Sequence, residues 1–306
     1  MNDGDYQKLK IGYLTERMIL GFGVDLVVHE TARRFAESGH DVTVFTTKKS
    51  DLYVDESYKI VDLTETVVVN QDIFSPHFMV ECINQLSHCD IDVWIAQTPP
   101  FYSWLTFLRP PVILVEHGTP PGKFFKGKMA RDLDTMTAHR YNVIYSTLRP
   151  GDTVVAISEF IRSGLPENVS RNAITILNGG DHYPRTTENA KVTFRKTIGL
   201  SENDIMLLWV GRIDPFVDYQ PYKGLQEFLE VSPIIRKKYP HCKIVAVGRA
   251  EERARKPLED AGIIPVFNLG KDTMPSAYAA ADIFINTSRW EGFNLPLIEA
   301  QFQGTP

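Results

Sequence analysis

The chain has 306 residues, 43% hydrophobic and 23% charged, the balance of a folded globular protein long enough for about two domains of roughly 150 residues each. Its net charge of −5 excludes a global field that draws it to nucleic acid or anionic lipid, while leaving room for a local basic patch. Cys82, Cys89 and Cys242 form neither a C-x-x-C pair nor a Cys/His cluster with zinc spacing, which points to reduced thiols in a cytosol.

The polar start, MNDGDYQKLK, lacks the apolar core of a signal peptide, and a cytoplasmic location is expected. Residues 10–14 (KIGYL) read as a first strand, and Gly21 and Gly23 fall in the loop that follows. Residues 25–38 carry apolar side chains at helical spacing and stop at Gly39. Residues 41–47 (DVTVFTT) are the next strand and complete a β-loop-α-β unit. Further strands are predicted at 93–96, 112–115, 153–157 and 173–177, with helices at 76–86, 133–146 and around 159–164. The uncharged run 93–108 contains Gln97, Pro99 and Pro100 and is too short to span a bilayer. Strands alternating with helices predict a mostly parallel sheet covered on both faces.

Residues 178–191 (NGGDHYPRTTENAK) are polar, turn-rich and aperiodic, and are read as the connection between domains. A second alternating series follows, with strands at 205–210, 243–247, 265–269 and 282–286 and helices at 225–238, 251–261 and 275–281. The fold class is therefore α/β, with an N-terminal domain over residues 1–180 and a C-terminal domain over 181–306. Such sheets bind ligands at the carboxyl ends of their strands, so a cleft between two facing domains is the expected site.

The last nineteen residues, SRWEGFNLPLIEAQFQGTP, place Glu291 in a loop and Glu299 about one turn into a helix that Pro296 opens. The amides of Phe293, Asn294 and Leu295 then point into the space beside both carboxylates, an arrangement suited to phosphate or sugar hydroxyls. Taken alone, the spacing equally fits a capped helix start with one solvated glutamate. Upstream, LLWVGRIDPFVDYQPYKGL puts Arg212 at a strand's carboxyl end and Lys223 at a helix entrance. Arginine offers a fork matched to phosphate and lysine a point charge, although either also fits an ordinary solvated surface cation.

The pieces VGR…KG, EGFNLPLIEA and the final GTP together resemble the nucleotide-sugar domain of retaining glycosyltransferases of the GT-B fold, GT4 type. ITILNGGD is similar to that family's N-G-V-D segment, VVAISEFIRSGL to its serine-containing strand and helix, and AYAAADIF to its Y-x-x-A-D strand, so the resemblance runs over nearly the whole chain. It implies two Rossmann-like domains facing across a cleft, and metal-independent transfer of a hexosyl group from a nucleotide-diphosphate sugar, with no other cofactor.

By position, the resemblance assigns Arg212 and Lys223 to the diphosphate and Glu299 to the ribose hydroxyls. Glu291 lies near the transferred sugar, with the amides of Phe293, Asn294 and Leu295 helping to hold it. Gly23 lets a helix terminus approach the phosphate, and His117 matches the histidine beside the transferring sugar. A histidine at a strand end, read alone, is as readily structural or solvated. The chain departs from the pattern at Phe22 and Asn294, where glycine is common, and in a longer stretch holding Pro215, Tyr219, Pro221 and Tyr222. Retention leaves two routes open: double displacement through a carboxylate, or same-face attack with the leaving phosphate as base.

GKFFKGKMAR, residues 122–131, interleaves two phenylalanines with four cations. It suits a lipid-linked or anionic acceptor and a peripheral membrane contact, or else is a mobile solvated loop. A saccharide or a small molecule is equally an acceptor within the resemblance. The family continues beyond GTP with another strand and further helices, so the second domain is expected to be incomplete, with an edge for a partner chain to cover. Other readings are a non-catalytic sugar-nucleotide-binding subunit, or another GT-B enzyme such as an epimerase or a phosphorylase, the last requiring a lysine-bound pyridoxal phosphate.

Overall fold

The computed structural model describes residues 7–19, 21–50, 57–66, 75–109, 111–217 and 220–306. The chain divides into two units, one of Met1–Thr119 with Arg131–Asn178, the other of Pro120–Ala130 with Gly179–Pro306.

In the first unit the strands are β1 (Lys10–Thr15), β2 (Asp41–Thr46), β3 (Lys59–Asp62), β4 (Val93–Ala96), β5 (Val112–Glu116), β6 (Thr153–Ala156) and β7 (Ile174–Thr175). They form one parallel sheet in the order β3-β2-β1-β4-β5-β6-β7. Helices α1 (Gly23–Glu37), α2 (Leu63–Thr66), α3 (Pro76–Ser87), α4 (Gly127–His139), α5 (Glu159–Ser163) and α6 (Glu167–Ser170) complete the series begun there. Parallel strands must be covered on both faces, which is why β1 is apolar almost throughout and buried after its first residue. In α1, Val28 and Ala32 lie one turn apart and are fully buried. Ser75 starts α3 by accepting from the Phe78 amide, with Pro76 in the first turn, and Phe78, Cys82 and Leu86 form its buried stripe. These side chains join Leu14, Trp94, Phe101, Trp104 and Leu114 in one core.

The second unit has strands β8 (Ile205–Val210), β9 (Cys242–Gly248), β10 (Ile263–Phe267) and β11 (Ile283–Phe284), parallel and in the order β10-β9-β8-β11. Its helices are α7 (Glu188–Thr197), α8 (Leu225–Lys238), α9 (Arg255–Asp260), α10 (Met274–Ala280) and α11 (Leu295–Phe302). Successive residues of β8 point to opposite faces. Met206 and Leu208 enter a core with Val245, Tyr278 and Ala300, while Leu207 and Trp209 enter another with Phe228, Ile244 and Leu258.

Several elements differ from expectation for identifiable reasons. The helix expected over 133–146 starts earlier, at Gly127, and after His139 widens into a π turn, Arg140–Ile144, followed by a tight turn, Tyr145–Thr147. The polar stretch read as a connection through residue 191 is already helical at Glu188, where the Thr187 hydroxyl accepts from the Ala190 amide. Only Phe194 of α7 is buried, so its periodicity is faint. Strands expected over 173–177 and 282–286 shrink to two residues each, β7 and β11, both at sheet edges with one partner strand. The strand expected over 265–269 lies two residues earlier, as β10, because Asn268 turns out of it with φ of 56°. The pair β3 and α2 was not foreseen.

Trp94 is 1% exposed and packs against Phe45 with ring centroids 5.5 Å apart. Trp94→Ala removes about 3–5 kcal/mol from the stability of the first unit. Urea unfolding followed by circular dichroism checks this, and a loss under about 1 kcal/mol contradicts the packing described.

Candidate active site

The order β10-β9-β8-β11 reverses direction at β8, so the loops leaving β8 and β11 diverge and open a crevice at the strands' carboxyl ends. Those loops carry residues 211–224 and 285–294. They are bonded to each other. The Arg289 amide donates to the Tyr222 carbonyl at 2.7 Å, and its guanidinium to the Pro221 carbonyl at 2.8 Å. The Thr287 hydroxyl donates to the Gly224 carbonyl at 2.7 Å and accepts from Trp209 Nε1 at 3.0 Å. Gly224 has φ of 72°, and a Cβ there would lie 2.0 Å from the Thr287 carbonyl oxygen, so only glycine fits.

This lacing brings together side chains far apart in sequence. Lys223 Nζ lies 2.6 Å from Glu291 Oε2, and the Ser288 hydroxyl donates to Glu291 Oε1 at 2.8 Å, so both oxygens of this half-buried carboxylate are engaged. Tyr222 sits among them, with Lys223 Nζ 5.6 Å from its ring centre. Burial pushes the Tyr222 hydroxyl up to about 12 and Glu291 adds to the shift, while the positive charge of Arg212 opposes it. Lys223 and Glu291 are thus paired beside Tyr222, and Arg212, two residues past β8, is near enough for its charge to act on the Tyr222 hydroxyl. Tyr219 lies outside the described residues.

Glu299 is placed by α11. The Asn294 side chain starts this helix by accepting from the Leu297 amide at 3.2 Å, so the residue that departs from the family glycine is its cap. Of three amides expected to be spare, that of Leu295 donates to the Phe293 carbonyl at 3.2 Å in a tight turn. Those of Phe293 and Asn294 have no hydrogen-bond partner among the described residues. Glu299 is 6% exposed; it accepts from His182 Nε2 at 2.9 Å and from the Tyr278 hydroxyl. His182 comes within reach because the chain before it runs against α11, where a Cβ on Gly180 would lie 2.6 Å from Ile298 Cγ2. Sequence reasoning named neither partner of Glu299. The only signals were a histidine inside the polar stretch 178–191 and the tyrosine of AYAAAD.

The segment 120–130 belongs to the same unit. Gly122–Phe124 is a tight turn and α4 begins at Gly127, so the second half of the stretch is helical. Phe124 and Phe125 lie 6.4 and 6.0 Å from the Tyr222 ring, and Arg289 lies over Phe124 at 5.5 Å. The aromatic residues are held by the Lys223 loop, while Lys123, Lys126, Lys128 and Arg131 are exposed.

In the first unit the strand order reverses between β1 and β4. Gly23 is the first residue of α1, on the loop leaving β1. Phe22, in place of the family's second glycine, stacks on the Arg17 guanidinium at 4.2 Å. Asp25 is 1% exposed and accepts from the Ile19 amide at 2.9 Å and Arg17 Nε at 3.2 Å; burial raises its carboxyl to about 6. His117 follows β5 and is half-buried, with Nε2 2.7 Å from Gln97 Oε1; burial lowers its imidazole to about 4. Beside it, buried Glu116 accepts from the Gly118 amide at 2.9 Å and from the Tyr145 hydroxyl, with Arg140 Nε 3.0 Å from Oε2. That last contact lacks the alignment of a hydrogen bond and is ionic.

Among the described residues, no group of three or more His, Cys, Asp or Glu side chains is arranged to hold a metal ion, and no helix is long and apolar enough to cross a membrane.

Two parallel-sheet units, each with a strand-order reversal, are the architecture of the GT-B fold of glycosyltransferases. The chain belongs to glycosyltransferase family 4: the model described as Glycosyltransferase Family 4 matches residues 23–182, and that described as Glycosyl transferases group 1 matches residues 204–306. A relative from Methanocaldococcus jannaschii, described as an uncharacterized glycosyltransferase, is 22% identical over 303 residues, spanning 90% of this chain and 73% of its own. Anabaena HepE, solved with UDP and glucose, matches at a TM-score of 0.69 and 15% identity over 97% of this chain and 79% of its own. Sucrose-phosphate synthase of Thermosynechococcus elongatus matches at a TM-score of 0.72 and 15% identity over 98% and 80%.

Two outcomes follow from the geometry. Gly224→Ala drives a methyl group into the Thr287 carbonyl, so it lowers the melting temperature of the second unit and parts Lys223 from Glu291, costing roughly 1–3 kcal/mol. An unchanged melting temperature contradicts this. Asp25, with its carboxyl raised from 3.8 to about 6, binds a proton more readily folded than unfolded. Its contribution therefore favours the folded state at low pH and is lost as pH rises from about 4 to about 6. The melting temperature of the native protein minus that of Asp25→Asn should fall across this window, and a rising difference contradicts the assignment.

Proposed function

We propose that the protein transfers a hexosyl group from a nucleotide-diphosphate sugar to an acceptor hydroxyl, with retention of anomeric configuration and without a metal ion or further cofactor. The observation that carries this reading is the convergence of Arg212, Lys223 and Glu291 on Tyr222 at the carboxyl end of β8, with Glu299 on the helix that follows β11.

Negative charge develops on the departing diphosphate as the glycosidic C–O bond breaks. Fixed cations stabilise that charge where a metal would otherwise do so. Arg212 and Lys223 take this part, with the Phe293 and Asn294 amides beside them. Lys223 is held by Glu291 until a diphosphate competes for it. Glu291 is then free to accept from a sugar hydroxyl, and Glu299 from the ribose. His117 and Gly23 of the first unit take the sugar-facing and phosphate-facing roles that the family resemblance assigns them.

For retention, the reading adopted is same-face attack, which needs no nucleophilic carboxylate at the anomeric carbon. The acceptor oxygen bonds to the anomeric carbon as the bond to phosphate breaks, and the acceptor proton passes to the departing phosphate oxygen. The complex of HepE with UDP and glucose makes a UDP-hexose the first donor to test. The acceptor is a saccharide, a lipid-linked or a small hydroxyl compound, and the unpaired cysteines agree with a cytoplasmic setting. The exposed cations of residues 123–131 suit an anionic or membrane-borne acceptor.

A thermal-shift screen of UDP-, GDP- and ADP-sugars identifies the donor, because a ligand of the native state raises its melting temperature. With that donor, Arg212→Ala and Lys223→Ala each lower kcat by about a hundredfold or more. Glu299→Ala chiefly weakens nucleotide binding, and EDTA leaves the rate unchanged. Transfer at the native rate in all three variants overturns the proposal.

A further inference from the structure

The loop after β5 carries more buried polar structure than a surface turn requires. Glu116 is 1% exposed and Arg140 4%, an ion pair removed from water at considerable cost unless its geometry is tightly set. The π turn after α4 sets it. The Tyr145 amide bonds back to the Arg140 carbonyl, five residues earlier, and so brings two side chains to one side that a regular helix would point apart. Both reach Glu116. Arg140 also donates to the Thr119 hydroxyl at 3.1 Å, and the Gly118 amide donates to Glu116. The chain from residue 116 to 119 is thereby fastened on both sides of His117.

Gln97 completes the arrangement from β4. It is 3% exposed; its carbonyl accepts from the buried Tyr102 hydroxyl, its amide donates to Leu14, and its side-chain oxygen faces His117 Nε2 at 2.7 Å. An oxygen at that place accepts only from a protonated Nε2. His117 Nδ1 has no hydrogen bond among the described residues and is not enclosed.

We propose that Gln97 is a positioning residue for glycosyl transfer: it fixes the His117 ring in the tautomer protonated at Nε2, so that Nδ1 is presented to the substrate as a hydrogen-bond acceptor. This rests on the reading that His117 touches the transferred sugar, and adds to it which ring atom does so and what selects it. An acceptor nitrogen requires a donor opposite it, so the substrate group it meets is a hydroxyl and not a phosphate oxygen. The charged groups packed around the turn are Glu116 and Arg140, which face each other. Tyr102, Tyr141 and Tyr145 are held un-ionised chiefly by burial and then by Glu116. None of these hydrogen-bonds the His117 ring among the described residues, so burial alone keeps it neutral.

The test has two arms on the full chain. Long-range proton–nitrogen correlation spectra of the histidine-labelled protein, with His117 assigned by comparison with His117→Ala, should show protonation at Nε2. Protonation at Nδ1, or an even mixture, overturns the proposal without any reference to activity. In the second arm, Gln97→Glu puts a carboxylate against Nε2, which favours the charged imidazolium and raises its titration. Nδ1 is then protonated below the raised value and freed above it. The kcat/KM profile of the variant should lose about a hundredfold as pH falls through that value and recover above it, while the native profile stays flat down to about 4. A Gln97→Glu profile identical to the native one, with His117→Ala inactive, overturns the proposal alone. A fully active His117→Ala overturns the sugar-contact reading and the proposal together. Should Gln97→Glu fail to fold, the spectra of the native protein still decide.

Discussion

At Gly224 the backbone of one loop comes so close to Thr287 of another that no side chain fits between them. That contact is possible only with the left-handed turn the glycine adopts, and the rest of the site in the second unit is hung on it. The Thr287 hydroxyl ties both loops to Trp209 under the sheet, so their spacing is set by the core and not by the loops themselves. Lys223 and Glu291 sit one and four residues from this contact, which explains a well-formed ion pair on segments that would otherwise be free to wander. The energy of such a half-exposed pair is small in itself, and its significance is positional.

The first unit reaches the same end with buried charge. Its pivot is Glu116, fastened by an arginine and a tyrosine delivered together by a π turn. Removing an ion pair from water is unfavourable; here a backbone amide and a threonine hydroxyl add hydrogen bonds to the pair, while Arg140 Nε keeps only its ionic contact with Glu116. Both units thus hold their polar groups on short turns that leave strand ends at a strand-order reversal or beside it, one with glycine geometry and the other with a charge cluster.

How far the sequence disclosed this depends on the length over which each signal is written. The parallel sheets and the β-loop-α-β order were legible because strands such as IMLLWV and helices such as DLVVHETARRF carry their period within a few residues. The resemblance assigned Lys223 and Glu291 to one site, but no local pattern states that the two pair. Helix α7 was hidden because it buries a single phenylalanine, and β7 and β11 were overdrawn because a sheet edge ends a strand before its β-rich composition does. His182, Tyr278, Gln97 and Arg140 were given no role for one reason. Each acts on a partner 20 or more residues away, and its own neighbourhood reads as loop or ordinary helix. The Leu295 amide was taken as spare because helix numbering alone cannot show a tight turn just before the helix.

The span of these contacts along the chain bears on how the protein forms. Thr287 meets Gly224 across 63 residues, Lys223 meets Glu291 across 68, and His182 meets Glu299 across 117, almost the whole of the second unit. Each is a loop whose closure costs entropy and is rewarded only once β8 and β11 lie side by side. A segment cut within these spans lacks one partner of each pairing, and contacts of such separation slow folding. The lacing of these loops is therefore acquired cooperatively, with the fold itself, and not in increments.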